Sequence, residues 1–281
     1  MNNSIITEKE ILEFEAFLRS QERERATIEK YLREVRFFAG WMDGRPVTKE
    51  AVIRWKESLQ KQEYVPATIN AKLSALNGFF YFMGWSWCRV KFLRTQRQMF
   101  RTRSRELTRQ EYELLLSTAR REGKERLALL METICATGIR VSELTYITAE
   151  AAREGRAEVI LKGKIRVILL PGKLCRKLLA YMRQHGITCG EIFLTKGGKG
   201  LSRRQIWREM KDLCKKADVE STKVFPHNLR HLFATSFYKI CKDIVKLADV
   251  LGHSSVETTR IYLLTAGQEH ARHLEQMRLV I

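Results

Sequence analysis

The chain has 281 residues, 44% of them hydrophobic and 30% charged, enough to bury cores in two ordinary domains and too apolar for a disordered tail. Lysine and arginine number 51 against 32 acidic residues, a formal net charge of +19. An excess of that size points to a polyanionic partner, nucleic acid first and an anionic membrane surface second.

The first hundred residues read as helices. Thr7 and Glu10 have capping-box spacing ahead of Ile11, Phe14 and Leu18. Ile28, Leu32, Val35, Phe38 and Met42 form a second apolar stripe ending before Gly44 and Pro46, and Val52, Trp55 and Leu59 form a third. A fourth, starting near Ala67, carries Ile69, Leu73, Leu76, Phe80 and Met83. One-sided stripes of this kind predict a small helical bundle over 1–95.

Residues 96–106 belong to a basic stretch expected to be an exposed linker, since Arg89–Arg109 holds eight basic residues against one acid, Glu106. The charge is uneven, with a net +5 over 1–100 and +14 over 101–281. The second domain, 107–281, opens with another capping box at Thr108 and Glu111. Two β-branched runs, Glu158–Leu161 and Arg166–Leu170, flank Lys162-Gly163-Lys164 and predict a hairpin whose turn holds glycine between lysines. A short strand over Ile192–Thr195 is expected beside it. Helices follow from Ser202 and from near Pro226, Asp243, Ser255 and Gly267. The fold class is therefore mainly α with a small β-sheet.

The six cysteines, at 88, 135, 175, 189, 214 and 241, form no Cys-x-x-Cys pair and read as reduced, mostly buried core residues. The opening Met-Asn-Asn-Ser has no apolar signal core and no run reaches membrane-spanning length, so a cytoplasmic, nucleoid-associated protein is expected.

Chemistry concentrates between Phe225 and Tyr262. His227, Arg230, His253 and Tyr262 lie there, in the frames Pro226-His227-Asn228-Leu229-Arg230-His231, Leu251-Gly252-His253-Ser254 and Arg260-Ile261-Tyr262. Upstream, Ala136-Thr137-Gly138-Ile139-Arg140-Val141-Ser142-Glu143-Leu144 supplies a second, buried-looking arginine, with Glu143 as its neighbour, leading into a helix. Arginine forks suit the non-bridging oxygens of a phosphodiester, histidines move protons near neutrality, and a phenol among cations can become a nucleophile. A hairpin lysine, Lys162 or Lys164, could protonate the leaving alkoxide. No Asp-x-Asp pair or phosphate loop is evident, so the expectation is metal-free, ATP-independent transesterification with no cofactor.

The Arg140 stretch and these three frames together closely resemble the tyrosine recombinase (phage integrase) family, nearest to its Xer-like and transposon integrase branch, and the resemblance spans the chain. It implies an N-terminal core-binding domain of SAM-like type and a C-terminal catalytic domain ending in an oligomerisation helix. It also implies that Tyr262 attacks a scissile phosphate to leave a 3′-phosphotyrosine and a free 5′-hydroxyl. Arg140 and Arg230 would clamp the phosphate, His253 would add a donor, His227 would serve proton transfer and Lys162 would be the general acid. The family hairpin commonly reads Gly-Lys-Gly-x-Lys-x-Arg, whereas here Leu161-Lys162-Gly163-Lys164-Ile165-Arg166 is shorter by one, so Lys164 could serve instead. Implied partners are double-stranded DNA and three further copies, a homotetramer on two paired sites that exchanges strands through a Holliday junction, with accessory bending or directionality proteins. The lack of an arm-binding module at the N-terminus is expected to mean simple core sites on a mobile element or chromosome. The helix from Ser202, bearing Arg203, Arg204, Arg208, Lys211 and Lys215, is expected to contact groove and backbone. A type IB topoisomerase shares this chemistry and is the competing enzyme class; a DNA-binding regulator that has lost the chemistry is the competing non-enzyme.

Overall fold

The computed structural model describes residues 4–94, 106–161, 164–195, 197–262 and 276, and the chain divides into two compact units, 1–97 and 98–281. In the first unit, α1 (Glu8–Ser20), α2 (Arg25–Met42), α3 (Lys49–Lys61) and α4 (Pro66–Phe82) form the expected bundle. Three of these four starts have a local cause. Glu10 accepts from the Thr7 amide at 2.9 Å, Thr48 accepts from the Ala51 amide at 3.1 Å, and Pro66 stands in the first turn of α4, where its missing N–H costs nothing. The inward stripes meet in an aromatic core in which Phe14, Phe38, Trp55, Phe79 and Phe80 are buried, with Phe38 edge-on to Trp55 at 5.1 Å between ring centroids.

Two asparagines on α4 have a role that apolar periodicity does not reveal. Asn77 donates to the Val90 carbonyl and accepts from its amide at 3.0 and 3.1 Å, and Asn70 does the same with Leu93 at 2.9 and 2.8 Å. Seven residues apart, they lie on one face of the helix and hold the extended segment after it like a strand partner.

The second unit begins with α5 (Arg109–Arg121) and α6 (Glu125–Thr137), followed by a 3₁₀ turn over Val141–Tyr146 and α7 (Ala149–Glu154). Strands β1 (Arg156–Leu161) and β2 (Lys164–Leu169) form an antiparallel hairpin pairing Val159 with Arg166 and Leu161 with Lys164. The ladder therefore leaves two residues, Lys162 and Gly163, between the strands, and Lys164 belongs to β2 rather than to the turn. The ladder continues two pairs further than the sequence suggests, through Ile160 with Ile165 and Leu161 with Lys164. Helices α8 (Gly172–Gln184), α9 (Arg203–Ala217), α10 (Pro226–Cys241), α11 (Ile244–Leu251) and α12 (Val256–Arg260) follow among the described residues.

Three expectations need correction. Residues 192–195 form no strand; Ile192 and Phe193 enter the core singly, flanked by isolated bridges Thr148–Glu191 and Leu194–Gly200, because a tight turn returns Thr195 to Lys199 before a ladder can grow. Helix α8 stands where no helix was expected, with Leu174, Leu178 and Met182 repeating every four residues on its buried side. Of the six free cysteines only Cys88 and Cys214 are buried, and Cys189 is exposed. The basic stretch 95–105, Lys162, and the tail with its expected helix near Gly267 lie outside the described residues. Among those described, no helix is long and apolar enough to cross a membrane, and no cluster of His, Cys, Asp or Glu could hold a metal ion.

Candidate active site

The site is assembled from helix ends. Helix α6 stops at Gly138, where φ is +66° and an added Cβ would lie 2.6 Å from Phe233 Cε1, so both conformation and space require glycine. Helix α11 stops at Gly252, where φ is +63°. A helix that ends this way leaves carbonyls without intrahelical partners at the negative end of its dipole. In this protein those carbonyls hold the arginines.

Arg230, in the second turn of α10, is only 2% exposed. Its Nη1 donates to the Gly138 carbonyl, its Nη2 donates at 2.8 Å to the Leu251 carbonyl and lies 2.8 Å from His253 Nε2, and its Nε reaches Tyr262 Oη at 3.4 Å. A buried guanidinium is costly unless its donors are satisfied, and these acceptors satisfy most of them. Burial lowers its pKa, the Tyr262 contact opposing.

Arg140 differs from the expectation of a buried arginine: its side chain is 42% exposed. It follows the Gly138 stop directly, so the chain turns outward, and a 3₁₀ turn rather than an α-helix succeeds it. Glu143, 1% exposed, accepts from the Arg140 amide and from Arg140 Nη1, both at 2.8 Å. Arg140 Nη2 donates to the Gly252 carbonyl at 3.4 Å. The outward guanidinium borders a cleft of about 420 Å³ lined also by His227, Arg230, Arg203, Trp207 and Phe225.

Tyr262 is buried, 3% exposed, among three imidazoles. Its ring lies 5.6 Å from His227, 5.4 Å from His231 and 5.8 Å from His253, nearly parallel to the last. His253 Nδ1 is 2.8 Å from Thr259 Oγ1. Since Nε2 faces an arginine that can only donate, the ring is the neutral tautomer with its proton on Nδ1. Burial, then Arg230, Arg140, Arg166 and His227, push its pKa down to about 4, which keeps it neutral.

The structure thus brings Arg140, His227, Arg230, His253 and Tyr262 together, while Lys162 lies outside the described residues. On α9, Arg203, Arg204, Arg208 and Lys215 are exposed, whereas Lys211 donates to the Ser221 carbonyl and lies 5.3 Å from the Trp207 ring centroid. Three participants were not among the expected site residues. Thr259 and His231 contact the site only because α10 and α12 converge there, and Trp207 reads as one more member of an amphipathic helix. Glu143 was legible as a neighbour of Arg140, but not as the buried carboxylate of the site.

A tyrosine hydroxyl among guanidiniums and imidazoles, on a mostly helical unit, defines a site suited to an anion and a phenolic nucleophile. Residues 105–269 match the phage integrase family, and 11–86 match the phage integrase N-terminal SAM-like domain. Tyrosine recombinase XerA of Thermococcus kodakarensis is 30% identical over 95% of this chain and 96% of its own, and tyrosine recombinase XerC of Roseiflexus castenholzii is 30% identical over 92% and 91%. Among solved structures, XerH bound to palindromic difH in a post-cleavage complex is similar with a TM-score of 0.71 at 18% identity, over 99% of this chain and 91% of that one. A lambda integrase tetramer bound to a Holliday junction gives 0.74 at 18% identity, over 93% and 78%. The chain belongs to the phage integrase family and is a site-specific tyrosine recombinase.

Proposed function

We propose that Tyr262 Oη attacks a scissile DNA phosphate, assisted by Arg140, Arg230, His253 and His227. The observation that carries this is the 3.4 Å approach of Arg230 Nε to Tyr262 Oη, which sets the nucleophile beside the cation that would hold its target. The Tyr262 O–P bond forms as the P–O5′ bond breaks, leaving a 3′-phosphotyrosine and a 5′-hydroxyl. The phenolic proton passes toward His227, the more exposed imidazole, and the departing O5′ takes a proton from Lys162, or from Lys164 at the start of β2. A 5′-hydroxyl from a second duplex then reverses the chemistry, so the bond energy is retained and no nucleotide triphosphate is consumed.

His253 has two parts to play. In the free protein its Nε2 accepts from Arg230 and steers that fork. An anionic phosphate among the guanidiniums offsets the repulsion that depresses its pKa, so that Nε2 can carry a proton to a phosphate oxygen.

The same reading has the chain bind double-stranded DNA through the exposed Arg203, Arg204 and Arg208, with Lys211 held as a brace for Trp207. It has four copies assemble on two paired sites and pass through a Holliday junction, in the cytoplasm and with accessory proteins setting direction. It divides the chain into a core-binding domain over 1–95, a basic linker over 96–106 and a catalytic domain over 107–281 whose tail docks on a neighbouring copy. Covalent capture tests it. Wild-type protein is incubated with a randomised pool of nicked duplexes, and DNA retained after denaturation is sequenced. A single recurring site, lost with Tyr262→Phe while binding persists within about threefold, is the expected result. No adduct from wild-type protein would sink the enzyme reading, and relaxation of plasmid without paired sites would favour a topoisomerase.

A further inference from the structure

One arginine of the cluster has no part in the chemistry above. Arg166 lies on β2 opposite Val159, and its side chain is only 12% exposed. Its Nη1 donates to the Leu251 carbonyl, the same oxygen that accepts from Arg230 Nη2 at 2.8 Å. Its Nη2 lies 3.4 Å from Glu143 Oε2, the carboxylate that holds Arg140. Its aliphatic stem occupies the space beside Gly252 where a Cβ would stand.

The isolated side chain does not account for this placement. Neither Arg166 Nε nor Nη2 has a hydrogen-bond partner, although both are buried. Leaving buried guanidinium donors unmet is destabilising, so a buried arginine so incompletely satisfied is a poor choice for packing alone. Burial, followed by repulsion from Arg230 and Arg140 and opposed by Glu143, pulls its pKa down to about 10, which still leaves it charged at neutral pH. Three guanidiniums around one carboxylate leave two positive charges in the cluster, and Arg166 supplies one of them from behind the turn.

We infer that Arg166 is a positioning residue for strand transfer: it braces the Leu251-Gly252-His253 turn from β2, so that Arg230 and His253 present their donors to one phosphate oxygen. The inference rests on the recombinase reading of the site. Its geometry is specific, because only a fork long enough to pass Gly252 reaches the Leu251 carbonyl and Glu143 at once. Removing it leaves the Leu251 carbonyl to Arg230 alone and Glu143 to Arg140 alone.

The test uses the full-length protein and the duplex recovered by covalent capture, synthesised in two forms. One carries the ordinary scissile phosphodiester, the other a methylphosphonate in which methyl replaces an anionic oxygen and the reacting group is neutral. A displacement of about 1 Å in the oxygen-facing donors is enough for Arg166→Ala to slow adduct formation on the phosphodiester about 100-fold. Binding should stay within about threefold, since the residue faces the turn rather than the DNA. On the neutral duplex, which needs less charge stabilisation, the deficit should shrink to under about tenfold. Arg166→Lys should remain nearly as slow as Arg166→Ala, because an ammonium restores the charge but not the fork. If Arg166→Ala does not fold, Arg166→Gln and Arg166→Lys keep most of the volume and carry the same comparison.

Equal deficits on both duplexes, unchanged rates, or a loss that lies in binding would each overturn the inference. Full recovery with Arg166→Lys would also overturn it, since charge alone would then suffice. These outcomes differ from failure of the underlying reading, in which wild-type protein forms no adduct through Tyr262.

Discussion

The two units solve opposite problems. The N-terminal bundle sorts its residues by polarity: Phe14, Phe38, Trp55 and Phe80 lie inside, and its buried Glu34 is met directly by Lys72 at 2.6 Å and by Arg33 at 2.8 Å. The catalytic unit also has an apolar core, but beside it buries Arg230, Glu143 and most of Arg166 in one cluster. There the cations are held less by opposing charges than by main-chain carbonyls released where α6 and α11 end. A buried pair such as Glu34 and Lys72 neutralises itself. A guanidinium held by carbonyls keeps its positive charge available to an incoming phosphate. The lesson is that a helix stopped by glycine beside an arginine can hold a cation inside a protein without quenching it.

The sharpest way to break this comparison is Arg230→Lys. If the carbonyls hold a fork rather than a charge, lysine leaves two or more acceptors unmet, and adduct formation should fall by at least about 10³-fold. Quenched-flow measurement of the adduct checks this, and near-normal rates would show that charge alone is enough. A smaller effect is expected where polarity sorting dominates. Trp55→Ala should destabilise the N-terminal unit by about 3–5 kcal/mol in denaturant titration, because it empties a well-packed aromatic site. A loss below about 1 kcal/mol would mean that the bundle is less dependent on its aromatic centre than its packing indicates.

The smallest expected effect concerns pH. His253 has a folded pKa depressed to about 4 from its ordinary 6.5, so the unfolded chain binds its proton more readily. Its contribution to stability is therefore complete above about pH 6.5 and declines as pH falls toward 4, the folded state resisting the proton that the unfolded state accepts. The difference in melting temperature between wild type and His253→Gln should narrow over that interval. A difference that stays constant would show that the surrounding cations do not set the titration of His253.

Much of the protein was legible from the chain because its signals are local. Capping boxes at Thr7, Thr108 and Ser202 placed helix starts, apolar stripes placed the bundle, and the frames around Arg140, His227, Arg230, His253 and Tyr262 marked the chemistry. Those features depend on residues three, four or seven apart, which one segment of chain fixes by itself. The exposure of Arg140 was not legible, because the outward turn after Gly138 depends on Phe233 arriving from α10. Nor was the absence of a strand at 192–195, since a strand exists only if a partner does. The role of Arg166 is the extreme case. In the sequence it is one basic residue in a strand of a short hairpin, and only folding sets it against Leu251, 85 residues away. Residue type and spacing determined which groups could hold and attack a phosphate. Tertiary structure decided which of them are buried and which carbonyls they share, because both depend on where distant helices stop.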